Sequence, residues 1–405
     1  MAHPPPAGLQ EESPTPLAAF DYQPRTRIVF GAGVLERVGE LTRELGARRV
    51  LLVTDPGIVS AGHAGRVEKL LAAAGLAVTI FDRARENPTT RCVDECVAVA
   101  RAGQVDTLIG LGGGSSMDTA KGSNFILTNG GRMQDYWGVG KAAKPMLPLV
   151  AIPTTAGTGS ECQSAALIAD EETHQKMACL DVKAAAKIAL LDPLLTVSQP
   201  FRVTVCTGID ALAHAVESAV TRKRTVLSSI YAREAFKLCV GGFPQVVQSP
   251  GEIEGRSRMQ LGAALAGLAI ENSMLGAAHS AANPLTAHFG IVHGQAVGMM
   301  LPHVVRYNAQ DPSARHEYVE LAKAAGIGPE ADAVEALVER LELYLDLARM
   351  PRSLADCGVE RKKIPMLAEE AARQWTAGFN PRRISAVEFQ SLFEAALQPR
   401  RESVI

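Results

Sequence analysis

The sequence predicts two domains of different class: an α/β domain over residues 25–199 and an all-α domain over 200–405, behind a flexible tail at 1–24. Three observations predict this. A chain of 405 residues is too long for one ordinary core. In its first half, short runs that are apolar throughout alternate with helical patterns, as in a largely parallel sheet covered on both faces. Beyond Ser198-Gln199-Pro200 strand signal nearly vanishes, and apolar residues recur only at helical spacing.

The elements follow in order. Residues 1–24 hold six prolines and few large apolar residues, which suits a tail. Arg27–Phe30 is a short strand stopping at Gly31-Ala32-Gly33, and Val34–Leu45 follows as a helix. Val50–Thr54 is a second strand, ended by Asp55-Pro56-Gly57. His63–Ala74 is helical and Ala77–Phe81 is a strand. Thr89–Arg101 is a helix with Val93, Cys96, Val97 and Ala100 on one face. Thr107–Ile109 runs into glycines, and Leu149–Ile152 and Ile188–Leu191 are further strands. Helical spacing then marks Leu212–Ala219, Leu261–Ile270, Ala333–Leu347 and Phe389–Leu397. No internal repeat is found.

Composition narrows the function classes. Net charge is −2, so neither a basic face for nucleic acid nor an acidic tail is present. No apolar run reaches the roughly 18 residues of a membrane helix, and no secretory signal pattern opens the chain. Seven scattered cysteines, an odd number in a long chain, fit the reducing cytoplasm better than a disulfide framework. Cys92 and Cys96 lie four apart on a helix without a second Cys or His pair nearby, so they are read as packing residues.

Two loops after strands have the composition of ligand cradles. Gly112-Gly113-Gly114-Ser115-Ser116-Met117-Asp118 opens a helix directly after a strand. Glycines admit a ligand close to the backbone, and free N–H groups at a helix start attract phosphate. The usual dinucleotide fingerprint is incomplete, because Ser115 stands where a third glycine is required. A tight strand-to-helix turn is the plain alternative. The second loop, Pro153-Thr154-Thr155-Ala156-Gly157-Thr158-Gly159-Ser160, offers small hydroxyls to a ribose, phosphate or carboxamide, or is an ordinary turn. Asp55 after the second strand either accepts from an adenosine ribose and repels a 2′-phosphate, or simply forms the turn.

A metal constellation is suggested farther on. Asp210 and His214 stand at i and i+4 on one face of an otherwise apolar helix. A buried carboxylate there needs a partner or a metal. Five of the nine histidines fall between 279 and 316. Two of them, joined to the Asp/His pair, would complete a four-ligand N/O site suited to Fe(II) or Zn(II). Spacing does not choose among His279, His288, His293 and His303, and His288 and His303 read equally as interior histidines.

Together these segments resemble the iron-containing (group III) alcohol dehydrogenase family over roughly residues 21–400. Gly-Gly-Gly-Ser-x-x-Asp-x-x-Lys stands at 112–121, Pro-Thr-Thr-Ala-Gly-Thr at 153–158 and Gly-x-Asp-Ala-Leu-x-His-Ala-x-Glu at 208–217. A His-Gly followed by Leu-Pro-His spans 293–303, and Asn380-Pro381 fits as well. The resemblance implies a Rossmann-like N-terminal domain and a helical C-terminal domain, the fold shared with dehydroquinate synthase, with a cleft between them. It implies metal ligands at Asp210, His214, His279 and His293. It implies dinucleotide contacts at Asp55, Asn87, Gly112, Gly113, Gly114, Ser115, Asp118, Thr154, Thr155, Thr158 and Lys176. Family members with Asp at the position of Asp55 tend to use NAD in preference to NADP. The activity implied is hydride transfer between NAD(H) and a small alcohol or aldehyde at iron, or at zinc, in a homodimer or larger homo-oligomer.

One position departs from the family. Many relatives carry His where this chain has Asn283, one turn after His279. Asn can hydrogen-bond but does not titrate. Asn283 is therefore expected to face the metal cleft and orient substrate or nicotinamide ribose, leaving proton transfer to another group. A polyol dehydrogenase or cyclase on the same fold is the enzymatic alternative, opposed by the intact Asp-x-x-x-His helix. A non-catalytic NAD-binding protein is the alternative from another class, opposed by the complete ligand set.

Overall fold

The computed structural model describes residues 19–173 and 175–398. Most of the expected tail, residues 1–18, lies outside the described residues. Residues 19–26 run without regular structure, but they are anchored: the Tyr22 hydroxyl lies 2.8 Å from that of Tyr231, and Thr26 Oγ1 donates to the Ala186 carbonyl at 2.8 Å.

Up to residue 191 the order is β1 (Arg27–Phe30), α1 (Val38–Glu44), β2 (Arg49–Val53), α2 (Pro56–Ser60), α3 (His63–Ala73), β3 (Ala77–Phe81), α4 (Thr90–Ala102), β4 (Thr107–Gly112), α5 (Gly114–Asn129), β5 (Gly138–Val139), β6 (Leu149–Pro153), β7 (Ala165–Ala169), β8 (Lys176–Leu180) and β9 (Ile188–Leu191). The main sheet runs β1-β9-β6-β4-β2-β3 from edge to edge, with every neighbour parallel. Its strands are apolar on both faces because both are covered. Val50 and Leu52 pack with Leu35, Val67 and Leu71 on one side, and Leu51 and Val53 pack with Phe81, Cys96 and Met117 on the other. Cys92 and Cys96 belong to that second layer, as packing residues. The chain runs outward from β2 to β3, then returns past β2 to β4. A crevice therefore opens at the carboxyl ends of β2 and β4, where this sheet class binds ligands.

In this half, two features differ from the sequence expectation. Val34–Arg37 is a tight 3-10 turn, so the first helix begins only at Val38. A second sheet, β5-β8-β7, was not expected. Strand β7 reads Ala-Ala-Leu-Ile-Ala, and alanine carries little strand signal even though burial along the strand does alternate.

The rest is helical: α6 (Phe201–Val220), α7 (Val226–Gln248), α8 (Ile253–Glu271), α9 (Ala277–Phe289), α10 (His293–Asn308), α11 (Pro312–Ala324), α12 (Ala333–Leu347), α13 (Ile364–Arg373) and α14 (Ala386–Leu397). Helix α6 has the length and hydropathy of a membrane span, contrary to the sequence reading. It is instead the central helix of this domain, with 89% of its 18-residue apolar window buried. The two halves meet at glycines. A Cβ on Gly267 of α8 would lie 2.4 Å from the Gly159 carbonyl oxygen, and one on Gly157 would lie 2.4 Å from Thr207 Cβ on α6. The 153–160 loop is thereby wedged against both helices.

Candidate active site

The sequence-predicted loops and helices converge on one cleft of about 600 Å³. On the sheet side, β4 ends at Gly112 with φ +145°, and a Cβ there would lie 2.5 Å from Ser116 Oγ and 3.1 Å from Asp55 Oδ2. Only glycine fits that corner. The turn delivers Gly113, Gly114 and Ser115 to the cleft wall at the start of the 16-residue helix α5, whose free N–H groups and dipole favour an anion. A Cβ on Gly114 would touch Thr158 Cγ2 at 2.9 Å, so the two loops are pressed together. Thr155 and Thr158 line the cleft, whereas Thr154 is buried behind it, its N–H donating to the Gly112 carbonyl at 2.9 Å.

Asp118 lines the cleft, as do Asn87 and Lys176, whose Nζ donates to Asn87 Oδ1 at 3.4 Å. Burial raises the Asp118 carboxyl's pKa, and the Lys121 and Lys176 ammonium groups oppose that rise. Asp55 is not among the cleft-lining residues. Its Oδ1 caps α2 by accepting from Gly57 and Ile58 N–H at 2.9 and 3.1 Å, and Ser116 Oγ donates to Oδ2 at 3.3 Å. The turn-forming role is thus realised, with Oδ2 beside the glycine corner.

On the helical side, α6 projects Asp210 and His214 one turn apart. Asp210 Oδ1 lies 3.5 Å from His214 Nε2, 3.4 Å from His279 Nε2 and 3.9 Å from His293 Nε2. Ligand atoms of Asp210, His279 and His293 all fall within 4.8 Å of one another, with His214 beside them. The backbone dictates this closeness. A Cβ on Gly294 would sit 2.0 Å from the Cys206 carbonyl oxygen, so the start of α10 rests on α6 and carries His293 to Asp210. His288 and His303 are not among the cleft-lining residues; His288 is exposed and hydrogen-bonded to Glu370 at 2.8 Å.

Two of the rings are fixed in orientation by hydrogen bonds. His214 Nδ1 bonds the Gly157 carbonyl at 3.2 Å and His279 Nδ1 bonds Glu217 Oε2 at 2.5 Å. With hydrogen on each Nδ1, both Nε2 lone pairs face the common point. Asp210 Oδ1 and His279 Nε2 are buried without a hydrogen-bond partner. Such orphaned groups are costly unless something else satisfies them. Burial opposes ionisation of Asp210, yet the three imidazoles hold it well below the usual carboxylate range. Burial likewise lowers His214, and lowers His293 to about 3. Against the same burial, the Glu217 and Asp210 carboxylates lift His279 to about 9. The polar cluster holds two buried carboxylates and demands positive charge. An Asp/His₃ donor set answers that demand with Fe(II) or Zn(II), so the residues fit a metal.

Sequence reasoning missed several residues. Glu217 stands at i+7 from Asp210, on the same helical face, and that spacing could have marked it. Cys206 and Arg202 continue the face in the other direction and line the cleft with Val203, Leu275 and Val292. Arg202 and Lys176 put two cations in the wall, which their separation in sequence concealed. Asn283 is corrected: it is not among the cleft-lining residues, and its amide donates to Gln374 Oε1 at 3.0 Å.

Comparison with known proteins agrees with this architecture. Residues 24–193 match the iron-containing alcohol dehydrogenase family, and residues 204–397 match the C-terminal domain of the Fe-containing alcohol dehydrogenase family. The chain is 36% identical to an NAD-dependent methanol dehydrogenase of Bacillus methanolicus over 372 residues, covering 91% of this chain and 97% of that protein. The crystal structure of a 1,3-propanediol oxidoreductase superposes with TM-score 0.90 at 31% identity, over 94% of this chain and all of that one (100%). A sulfoacetaldehyde reductase from Bifidobacterium kashiwanohense, solved with NAD+, gives TM-score 0.85 at 27% identity, over 94% and 99% of the two chains. The chain belongs to the iron-containing alcohol dehydrogenase family.

Proposed function

We propose that this protein interconverts small alcohols and aldehydes using NAD(H) and a metal held by Asp210, His214, His279 and His293. The observation that carries the reading is the pair of orphaned buried atoms, Asp210 Oδ1 and His279 Nε2, aimed at one point of a dinucleotide-sized cleft. When bound, the metal supplies Lewis acidity to the alcohol or carbonyl oxygen, and NAD supplies the hydride acceptor. The chain's own residues supply the rest. The N–H groups of the 113–115 turn would hold the pyrophosphate, with Gly112 giving the backbone its close approach. Asp118, Thr155, Thr158, Asn87 and Lys176 would orient the nicotinamide end, and Asp55 the adenosine ribose. Val203, Cys206, Leu275 and Val292 form the less polar wall beside the ligand set and exclude water from the reacting carbon.

NAD is favoured over NADP by the Asp55 carboxylate, and the N/O donor set favours Fe(II), with Zn(II) next. Seven unpaired cysteines support a reducing cytoplasm. Net charge −2 and the burial of α6 support a protein that binds neither nucleic acid nor membrane. We further propose a homo-oligomer, supported by Trp137, Val139 and Val182, exposed beside the short edge strand β5. Protein purified without oxygen should contain iron and reduce short aldehydes with NADH faster than with NADPH. Turnover that is indifferent to metal removal would overturn the reading.

A further inference from the structure

Asn380-Pro381 is not among the cleft-lining residues; it lies in the segment between α13 and α14. Asn380 is buried, and all four hydrogen-bonding positions of its amide are used. Oδ1 accepts from the Ala277 N–H at 3.3 Å and from Asn308 Nδ2 at 3.0 Å. Nδ2 donates to Asn308 Oδ1 and to the Arg382 carbonyl, both at 2.7 Å. Ala277 opens α9, two residues before His279, and is preceded by Gly276, which has no side chain to cap the helix. The caps come from elsewhere in the chain: Asn380 takes the Ala277 N–H, and Glu217 takes the Ala278 N–H at 2.7 Å. A Cβ on Gly276 would sit 3.1 Å from both acceptor oxygens. The residues beside Asn380 reach the other two helices that carry the Asp/His cluster. Just beyond the end of α6, the Arg222 N–H donates to the Phe379 carbonyl at 2.9 Å and Arg222 Nε donates to the Pro381 carbonyl at 3.2 Å. At the end of α10, beside Asn308, Arg382 Nη1 donates to the Tyr307 carbonyl at 3.1 Å, with its guanidinium 4.1 Å from the Tyr307 ring centre. Residues 379–382 are therefore bonded to all three of α6, α9 and α10.

We propose that Asn380 is a positioning residue for the metal centre: it closes residues 379–382 into a clasp that holds the start of α9, and with it His279, in place against α6 and α10. The inference rests on the metal reading of Asp210, His214, His279 and His293. Asn380 acts through backbone, and its work differs from that of Glu217: Glu217 fixes the His279 ring, and Asn380 fixes the chain from which that ring hangs. Such support matters because ligand atoms must be placed to within about 0.2 Å of their ideal distances, and a helix start without its own cap leaves N–H groups unsatisfied. The orientation of the Asn380 amide is determined by its partners. A flipped amide would set a donor against the Ala277 N–H and an acceptor against the Arg382 carbonyl. An apolar side chain of the same volume would fill the space but strand both of those buried groups. The joint between Asn380 and Asn308 carries no charge and does not titrate, so it holds the three helices alike across the working pH range.

The test is metal affinity, read by competition with a chelator on the full chain purified without oxygen, beside denaturant unfolding of the metal-free protein. Asn380→Ala should weaken iron binding by about tenfold or more, as when other partners behind metal ligands are removed. Loaded with cobalt(II), the variant should show a changed visible absorption spectrum, because His279 meets the ion from a shifted backbone. NADH affinity should stay at the wild-type value, since neither Asn380 nor Asn308 is among the cleft-lining residues. A merely structural Asn380 would give a different result: lower unfolding stability with wild-type chelator competition and a wild-type cobalt spectrum. That result would overturn the proposal. Arg382→Met, at the half-buried outer end of the clasp, carries the test if Asn380→Ala fails to fold. It should weaken iron binding severalfold with little change in unfolding, and wild-type affinity there would overturn the proposal instead. A wild-type protein that bound neither iron, zinc nor cobalt would overturn the metal reading itself, and this inference with it, before any variant was made.

Discussion

At the scale of single residues, the site is a set of side chains whose second contacts decide their use. Glu217 is not among the cleft-lining residues, yet it fixes His279 by accepting from Nδ1, while its other oxygen accepts from the Ala278 N–H at 2.7 Å. Glu217→Gln should therefore lower metal affinity by about 10–100-fold, measured by competition with a chelator, while leaving the four ligands in place. Unchanged affinity would leave Glu217 with a structural role only. Asp55 admits a clean substitution, because glycine replaces an N-cap aspartate at only a few tenths of a kcal/mol. Asp55→Gly should raise the NADPH/NADH ratio of kcat/KM by about tenfold, the effect of removing roughly 1.4 kcal/mol of like-charge repulsion. An unchanged ratio would confine Asp55 to its capping role. For Asn283, bonded to Gln374 outside the cleft wall, substitution by His should leave the shape of the pH–kcat/KM curve from pH 5 to 10 as it is. A new titration in that curve would return Asn283 to the site. Asp210 and His214 were legible in the sequence because i, i+4 spacing on an apolar helix is a physical signal. The partners on other helices were not, since only the packing of α9 and α10 on α6 separates His279 and His293 from His288 and His303.

At the scale of elements, the parallel strands were legible because burial on both faces demands unbroken apolar runs. The β7–β8 hairpin was not, because alanine, with little strand preference, fills three of the five positions of β7, although the hairpin carries Lys176 into the cleft. The seam between loop 153–160 and α8 was equally hidden, since glycine in a helix gives no sign of what approaches it. That seam fixes the wall bearing Thr155 and Thr158. Gly267→Ala forces a methyl group onto the Gly159 carbonyl oxygen, and overpacking of this kind costs about 1–3 kcal/mol. Denaturant unfolding should detect that loss together with weaker NADH binding. A variant as stable as the parent would mean that the seam yields, and that it does not hold the cleft wall.

At the scale of the whole molecule, the sheet brings a backbone cradle and the helices bring an Asp/His cluster that could hold a metal, and the cleft is lined by both. The central claim is that Asp210, His214, His279 and His293 hold the metal on which turnover depends. The most direct measurement is the metal content and aldehyde-reducing rate of Asp210→Ala and His279→Ala, purified without oxygen beside the wild type. The account predicts about one metal ion per wild-type chain, near-complete loss of metal and turnover in both variants, and NADH binding that survives because the glycine turn is untouched. A variant that kept wild-type metal content and rate would contradict it.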